Sequence, residues 1–197
     1  MSVPEPVWGL VLAGGKSRRM GSDKASLTQN GETQLSRAVS LLESQLPRVF
    51  VSTSREQADD PTRKDFDKIV DAYVDLGPVA GIMSAMDHNP EVSWLVLACD
   101  LPELDVATIV NLLDEASTEH VATAYKSTHD DLPEPLCAIY RPAARETIDQ
   151  FVADGFNCPR KILINAPAHL LTQPNPRALH NINSPEDLAG TGIEQSL

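Results

Sequence analysis

Residues 7–12, VWGLVL, form a short apolar run that stops at Gly14-Gly15. A continuous run of this length reads as a strand buried on both faces, as in a parallel sheet. Parallel strands need crossover connections, usually helices, so strands and helices should alternate along the chain. They do. Leu35, Ala38, Val39, Leu42 and Leu46 mark one face of a helix within residues 33–46. RVFVST (48–53), DKIVD (67–71) and SWLVLA (93–98) read as strands, and the polar stretch 54–66 as a loop or a poorly packed helix. A helix is predicted from Pro78. Another covers 105–117, with Val106, Ile109, Val110 and Leu113 inward. HVATAYK (120–126) and PLCAIYR (135–141) read as further strands and leave room for an antiparallel one. Residues 142–154, 159–164 and 184–189 read as helical, and the tail after about 189 as frayed. The expected fold is α/β, a three-layer α/β/α sandwich around a Rossmann-like, mostly parallel sheet, in one domain over 1–197.

The net charge of −12 argues against nucleic acid or an anionic membrane surface as partner. No run of about 18 apolar residues occurs, so no membrane span is predicted. MSVPEPVWGL lacks the regions of a signal peptide. Cys99, Cys137 and Cys158 form no CxxC pair, which fits reduced thiols in a cytoplasmic protein. Against this acidic background, Arg18, Arg19 and Lys24 gather in the glycine-rich stretch LVLAGGKSRRMGSDK, residues 10–24. The bulk charge implies solubility, and the local cluster implies a small anion.

Two lysines compete for that anion. A P-loop, G-x-x-x-x-G-K-[ST], would put Lys16 on a phosphate, but its first glycine falls on Leu10. The G-x-G-x-x-G pattern fails as well, because Gly14 and Gly15 are adjacent. In the other register, Gly14 and Gly15 let backbone N–H groups approach phosphate oxygens, and Lys24 neutralises them. Arg18 and Arg19 add charge-assisted contacts. A charged surface turn is the alternative.

LAGGKSRRMGSDK closely resembles the L-A-G-G-x-S-x-R-M-G-x-D-K signature of nucleotidyltransferases that modify molybdenum cofactor. Four more stretches follow in the family's order. GPVAGIMSAM (77–86) resembles G-P-L-A-G-I, and ACDLP (98–102) resembles C-D-x-P. LPEPLCAIYRP (132–142) resembles E-P-L-x-A-x-Y, and NINSPEDL (181–188) resembles N-x-N-T-P-E-D-L. The resemblance to the molybdenum cofactor guanylyltransferases implies a nucleotide-diphospho-sugar-transferase type of fold. It implies transfer of GMP from GTP to molybdopterin or its molybdenum form, with Mg²⁺ and release of pyrophosphate. It assigns nucleotide contacts to Leu12, Ala13, Gly14, Gly15, Lys24, Ser52 and Asp71, and catalytic roles to Lys24, Asp100 and Arg19. Asp100 would be the metal ligand, and Asn181 and Asn183 would lie toward the pterin.

The residues themselves leave alternatives. Ser52 departs from the Asn of many relatives. Asp100 could cap a helix, and Asn183 could merely shape the turn before Ser184-Pro185. Glu134 and Pro135 would shape a strand edge facing the cleft. The rival functions are a molybdenum cofactor cytidylyltransferase and a non-catalytic nucleotide-binding homologue; the resemblance of GPVAGI to the guanylyltransferases implies guanylyl transfer, which nothing in these side chains derives alone. Sugar and isoprenoid transferases usually carry Pro-Lys where this chain has Asp23-Lys24. The acceptor's phosphate, with second pKa near 6, is largely ionised, so no general base is expected. Arg160 and Lys161 begin a predicted helix, where basic residues are unfavourable without an anion, and the molybdopterin phosphate is the expected one.

Overall fold

Neighbouring residues of the central strands point to opposite faces, and both faces are buried. Val11, Val51, Leu95 and Leu97 join one hydrophobic cluster, while Leu10, Phe50 and Val96 join the other. A sheet apolar on both sides must be covered on both sides, and helices do so here.

The computed structural model describes residues 5–14, 23–182 and 193–194. In chain order the elements are β1 (Val7–Leu12), β2 (Thr28–Gln29), β3 (Glu32–Thr33), α1 (Gln34–Glu43), β4 (Val49–Thr53), β5 (Lys68–Val70), α2 (Pro78–His88), β6 (Ser93–Ala98), α3 (Val106–Asp114), β7 (Ala122–Lys126), β8 (Pro133–Tyr140), α4 (Ala144–Ala153), α5 (Pro159–Asn165), β9 (Ala168–Leu171) and β10 (Ile193–Glu194). Short 3-10 turns lie at Lys24–Ser26, Arg55–Gln57 and Pro61–Arg63. The main sheet has seven strands in the order β5-β4-β1-β6-β8-β7-β9. β1 pairs in parallel with β4 and β6, β4 with β5, and β7 with β9. β8 alone runs against its neighbours, β6 and β7. The three-layer, mostly parallel sandwich is therefore present.

On one face α1 buries Leu35, Ala38, Val39 and Leu42, and α3 buries Ile109 and Leu112. Thr33 caps α1, its hydroxyl accepting from the Ser36 N–H. On the other face α2, α4 and α5 bury Val79, Ile82, Met83, Met86, Ile148, Ile162 and Leu163. Residues Val79 through Met86 of α2 are all buried. It packs against β5, β4, β1 and β6, the strands whose ends carry the site.

Four features depart from the sequence reading. α3 turns Thr108, Ile109 and Leu112 inward and leaves Val106 42% exposed. The buried Tyr125 hydroxyl donates to the Thr108 carbonyl and ties that face of the helix to β7. β9 adds an edge strand beside β7, in a stretch too short to show any period. Ile193, expected in a frayed tail, is buried and pairs with Gln29 of β2. The polar stretch 54–66 contains two 3-10 turns and a fully buried arginine, Arg63. The helix expected at 184–189 lies outside the described residues.

Candidate active site

Parallel strands bring their carboxyl ends together along one edge, and ligands of open α/β sheets bind there. At this edge Leu12 is in register with both Ser52 and Ala98, and Thr53 with Val70. The residues that follow are Ala13-Gly14, Ser54, Asp71 and Cys99-Asp100. β1 lies between β4 and β6. Asp71 and Asp100 therefore flank the exit of the glycine-rich stretch from opposite sides.

On the β4 side, the Ser52 hydroxyl donates to Asp71 Oδ1 at 2.7 Å. A serine thus does what an amide could do at this position. Burial holds the Asp71 carboxyl above the ordinary carboxylate range, and the Ser52 hydrogen bond offsets part of that. A Cβ on Gly14 would sit 3.2 Å from the Ser54 nitrogen and 3.4 Å from Asp71 Oδ2. A side chain there would touch the carboxylate at ordinary contact distance but would crowd the Ser54 backbone, which would have to give by a few tenths of an ångström. Gly81 of α2 is tighter still. A Cβ there would overlap the Ser52 hydroxyl and come within 2.8 Å of Leu12 Cδ2. The second glycine of GPVAGI lets α2 rest against the strand ends that carry Ser52 and Leu12.

On the β6 side, Lys24 Nζ meets Asp100 Oδ2 at 2.7 Å, both side chains under one-fifth exposed. The Asp23 side chain accepts from the Ala25 N–H and caps the turn that presents Lys24. Asp100 caps no helix; Asp105 does that for α3. Burial works to raise the Asp105 carboxyl, but hydrogen bonds from Thr108 and Asn175 and the Arg37 charge outweigh it and hold it low. Cys99 is buried, and burial with the charges of Asp100 and Asp23 pushes its thiol up to about 12. It is a small core residue, not a nucleophile.

Beyond Asp100 a cavity of about 560 Å³ opens, bordered by Glu103, His129, Glu134, Arg160, Gln173 and Asn181. Ile182, also on its wall, donates its N–H to the Asp100 carbonyl at 3.1 Å. That bond joins the cavity to the sheet edge. Arg160 does start α5, as expected, but its guanidinium meets Asp130 at 3.1 Å and Glu134 at 2.9 Å. Two carboxylates already answer its charge, so the local conflict does not call for an anion. Lys161 is exposed and not on the cavity wall.

The structure thus groups Gly14, Ser52 and Asp71 on one side of β1, and Lys24, Asp100 and the Asn181 cavity on the other. Ala13 contributes differently from the expectation. Its N–H donates to the Ser52 carbonyl at 3.1 Å, and its carbonyl accepts from Arg63 Nε at 3.2 Å and Nη2 at 2.6 Å. Both backbone groups are engaged within the protein in this structure. Gly15, Lys16, Arg18, Arg19 and Asn183 lie outside the described residues. Sequence reasoning missed Arg63. Its one local signal was Asp60-Pro61, a capped turn that ends on it.

The model of the MobA-like NTP transferase domain matches residues 9–170. This chain belongs to the MobA-like NTP transferase family. Among curated relatives of the family, it is 37% identical over 182 residues to a molybdenum cofactor biosynthesis bifunctional protein of Synechocystis sp.. That match covers 92% of this chain and 52% of the relative, so the chain spans about half the length of that protein. It is 31% identical to a probable molybdenum cofactor guanylyltransferase of Nostoc sp., covering 91% of this chain and 87% of that one. In fold it is similar to the molybdopterin-guanine dinucleotide biosynthesis protein A of Archaeoglobus fulgidus, with a TM-score of 0.76 at 21% identity over 93% and 96% of the two chains. Among the described residues no helix is long and apolar enough to cross a membrane.

Proposed function

We propose that this nucleotidyltransferase transfers GMP from GTP to the terminal phosphate of molybdopterin or its molybdenum form, with Mg²⁺, and releases pyrophosphate. The observation that carries the reading is the meeting of Gly14, Lys24 and Asp100 at one sheet edge, with the cavity bordered by Asn181 beside them. The relatives named molybdenum cofactor guanylyltransferase support the same substrates.

GTP would lie along the β1 exit, its base toward Asp71. A carboxylate accepts two adjacent N–H donors, which the Watson–Crick edge of guanine offers and that of cytosine does not. The triphosphate would meet the Gly14 backbone and Lys24. Lys24 now rests on Asp100 and would exchange part of that contact for phosphate oxygens. Asp100 suits a magnesium ion: Mg²⁺ takes one or two carboxylates plus substrate phosphates rather than a protein cage. When bound, the metal would neutralise charge on the phosphates. The acceptor would occupy the cavity beside Asp100, its phosphate already anionic and needing no base. The chain's work is then alignment and charge neutralisation for an in-line displacement.

The test is competition among GTP, CTP and ATP for one preparation of molybdopterin, read as pyrophosphate release with Mg²⁺. GTP should be preferred. Equal or better turnover with CTP would overturn the guanylyl reading, and no pyrophosphate from any nucleotide would leave a non-catalytic binder.

A further inference from the structure

Arg63 is fully buried, in a stretch of chain that is otherwise largely polar and on the surface. Its guanidinium has three partners, two of them in remote parts of the chain. Nε and Nη2 donate to the carbonyl of Ala13, at 3.2 and 2.6 Å. Nη2 also donates to Asp23 Oδ2 at 2.6 Å. Nη1 meets Asp60 Oδ1 at 3.4 Å, an ion pair without a good hydrogen bond. Ala13 precedes Gly14, and Asp23 precedes Lys24. One buried cation therefore ties the residue before the glycine to the residue before the lysine.

Neither tie is an ordinary surface pair. The planar fork of an arginine holds two acceptors at fixed angles, which a lysine ammonium cannot do. The Ala13 carbonyl takes two N–H groups, the full capacity of its lone pairs. Asp23 is divided between two tasks. Oδ2 accepts from Arg63, while Oδ1 accepts from the Ala25 N–H and caps the turn that carries Lys24. The Asp of the Asp-Lys pair thus has a structural reason, since a proline there would supply neither acceptor. The far end of the same rod of contacts is Lys24 on Asp100.

We infer that Arg63 is a positioning residue for nucleotidyl transfer. It sets Lys24 in register with the Gly14 backbone, across nine intervening positions of chain, without touching the nucleotide. The inference rests on the transfer reading above. It adds to that reading that a buried charge in the segment between β4 and β5 governs how well the phosphate-binding groups are aligned. Misalignment of reacting groups by about 1 Å can cost about a hundredfold in rate.

The test uses Arg63→Ala, Arg63→Lys and Asp23→Asn in the full chain, each checked for folding by its unfolding transition. Turnover per folded molecule should fall about 30- to 100-fold in Arg63→Ala, with the KM for molybdopterin unchanged. Added guanidinium, but not ammonium, should restore part of it by refilling the vacated space. Arg63→Lys keeps the charge and should fold even if the alanine variant does not, yet it should stay impaired. Joining Asp23→Asn to Arg63→Lys should cost little more than the worse single change. Amide exchange at Gly14 and Ala25 should quicken in the Arg63 variants while β1 and β4 stay protected. Normal turnover in Arg63→Lys, or a loss confined to thermal stability, would overturn the inference. If the wild-type chain releases no pyrophosphate, the transfer reading fails instead, and unchanged exchange at Gly14 and Ala25 would then reject the register itself.

Discussion

The two sides of the sheet edge are built from opposite materials. On the side proposed for GTP, small residues let backbone and carboxylate pack closely, and a buried cation ties that backbone to the turn that carries Lys24. Gly81 leaves no room for a Cβ, Gly14 leaves little, and Arg63 has no exposed surface. On the side proposed for the acceptor, a cavity of about 560 Å³ is bordered by partly exposed charged side chains, the Arg160–Glu134 ion pair among them. The first side can only be altered by moving the core. The second can be altered one surface contact at a time. Substitutions on the first side should therefore damage the chemical step, and those on the second should shift acceptor affinity.

The largest effect should come from Lys24 and Asp100, which meet where the two sides join. Lys24→Ala or Asp100→Asn should lower turnover about a hundred- to a thousandfold, the loss of about 2.7–4 kcal/mol expected for one preorganised electrostatic contact. Both variants should keep the unfolding transition of a folded chain. Steady-state pyrophosphate release across a magnesium titration checks this, and near-normal Asp100→Asn at limiting Mg²⁺ would remove Asp100 as the metal ligand. Lys16→Ala should be the milder loop change, since the register that would use Lys16 fails at Leu10.

Asp71→Asn should act next in size and in two directions. Efficiency with GTP should fall about tenfold, the loss of a hydrogen bond to a charged acceptor. Stability at neutral pH should rise by about 0.5 kcal/mol, at the low end of ordinary stabilising substitutions. The sign follows from burial. Asp71 titrates higher in the folded chain than in the unfolded one, so ionising it costs stability. The wild-type chain loses that stability as pH rises from the ordinary carboxylate range through the raised value. The asparagine variant does not, so its advantage should vanish in acid. Urea melts of both proteins across that range measure it, and a variant less stable at neutral pH would contradict the assignment.

The smallest effect belongs to the cavity. Arg160→Ala should raise the KM for molybdopterin about fivefold and leave GTP affinity unchanged, because partly exposed ion pairs contribute about 1 kcal/mol or less. Initial rates with each substrate varied in turn separate the two. A loss of GTP affinity equal to the loss of acceptor affinity would erase the contrast between the sides.

Much of this arrangement is legible in the chain itself. The apolar run before Gly14, the alternation of strands and helices, and Asp71 and Asp100 at strand ends are local patterns, and local patterns follow from the period of the backbone. Pro78 and the Asp60 cap mark their helix and turn starts for the same reason. Errors came where a residue's surroundings are distant in sequence. The face of α3 is tied down by Tyr125, and Ile193 is held by its pairing with Gln29. Arg160 looked like an unanswered charge until Asp130 and Glu134 stood beside it.

Arg63 is the sharpest case. Its neighbours Thr62 and Lys64 give no sign of burial, and an arginine in a polar stretch is by itself a solvated one. Fifty residues separate it from Ala13 and forty from Asp23. The sequence alone determined the layered α/β sheet, the glycine-rich exit from β1 and the residue types available for phosphate chemistry, because periodicity and backbone freedom are properties of short stretches. Only the tertiary structure decided that Lys24 rests on Asp100, that Asp71 is desolvated against Ser52, and that one buried guanidinium joins Ala13 to Asp23. Those are encounters between remote segments, and their energies depend on burial and distance, which no local pattern encodes.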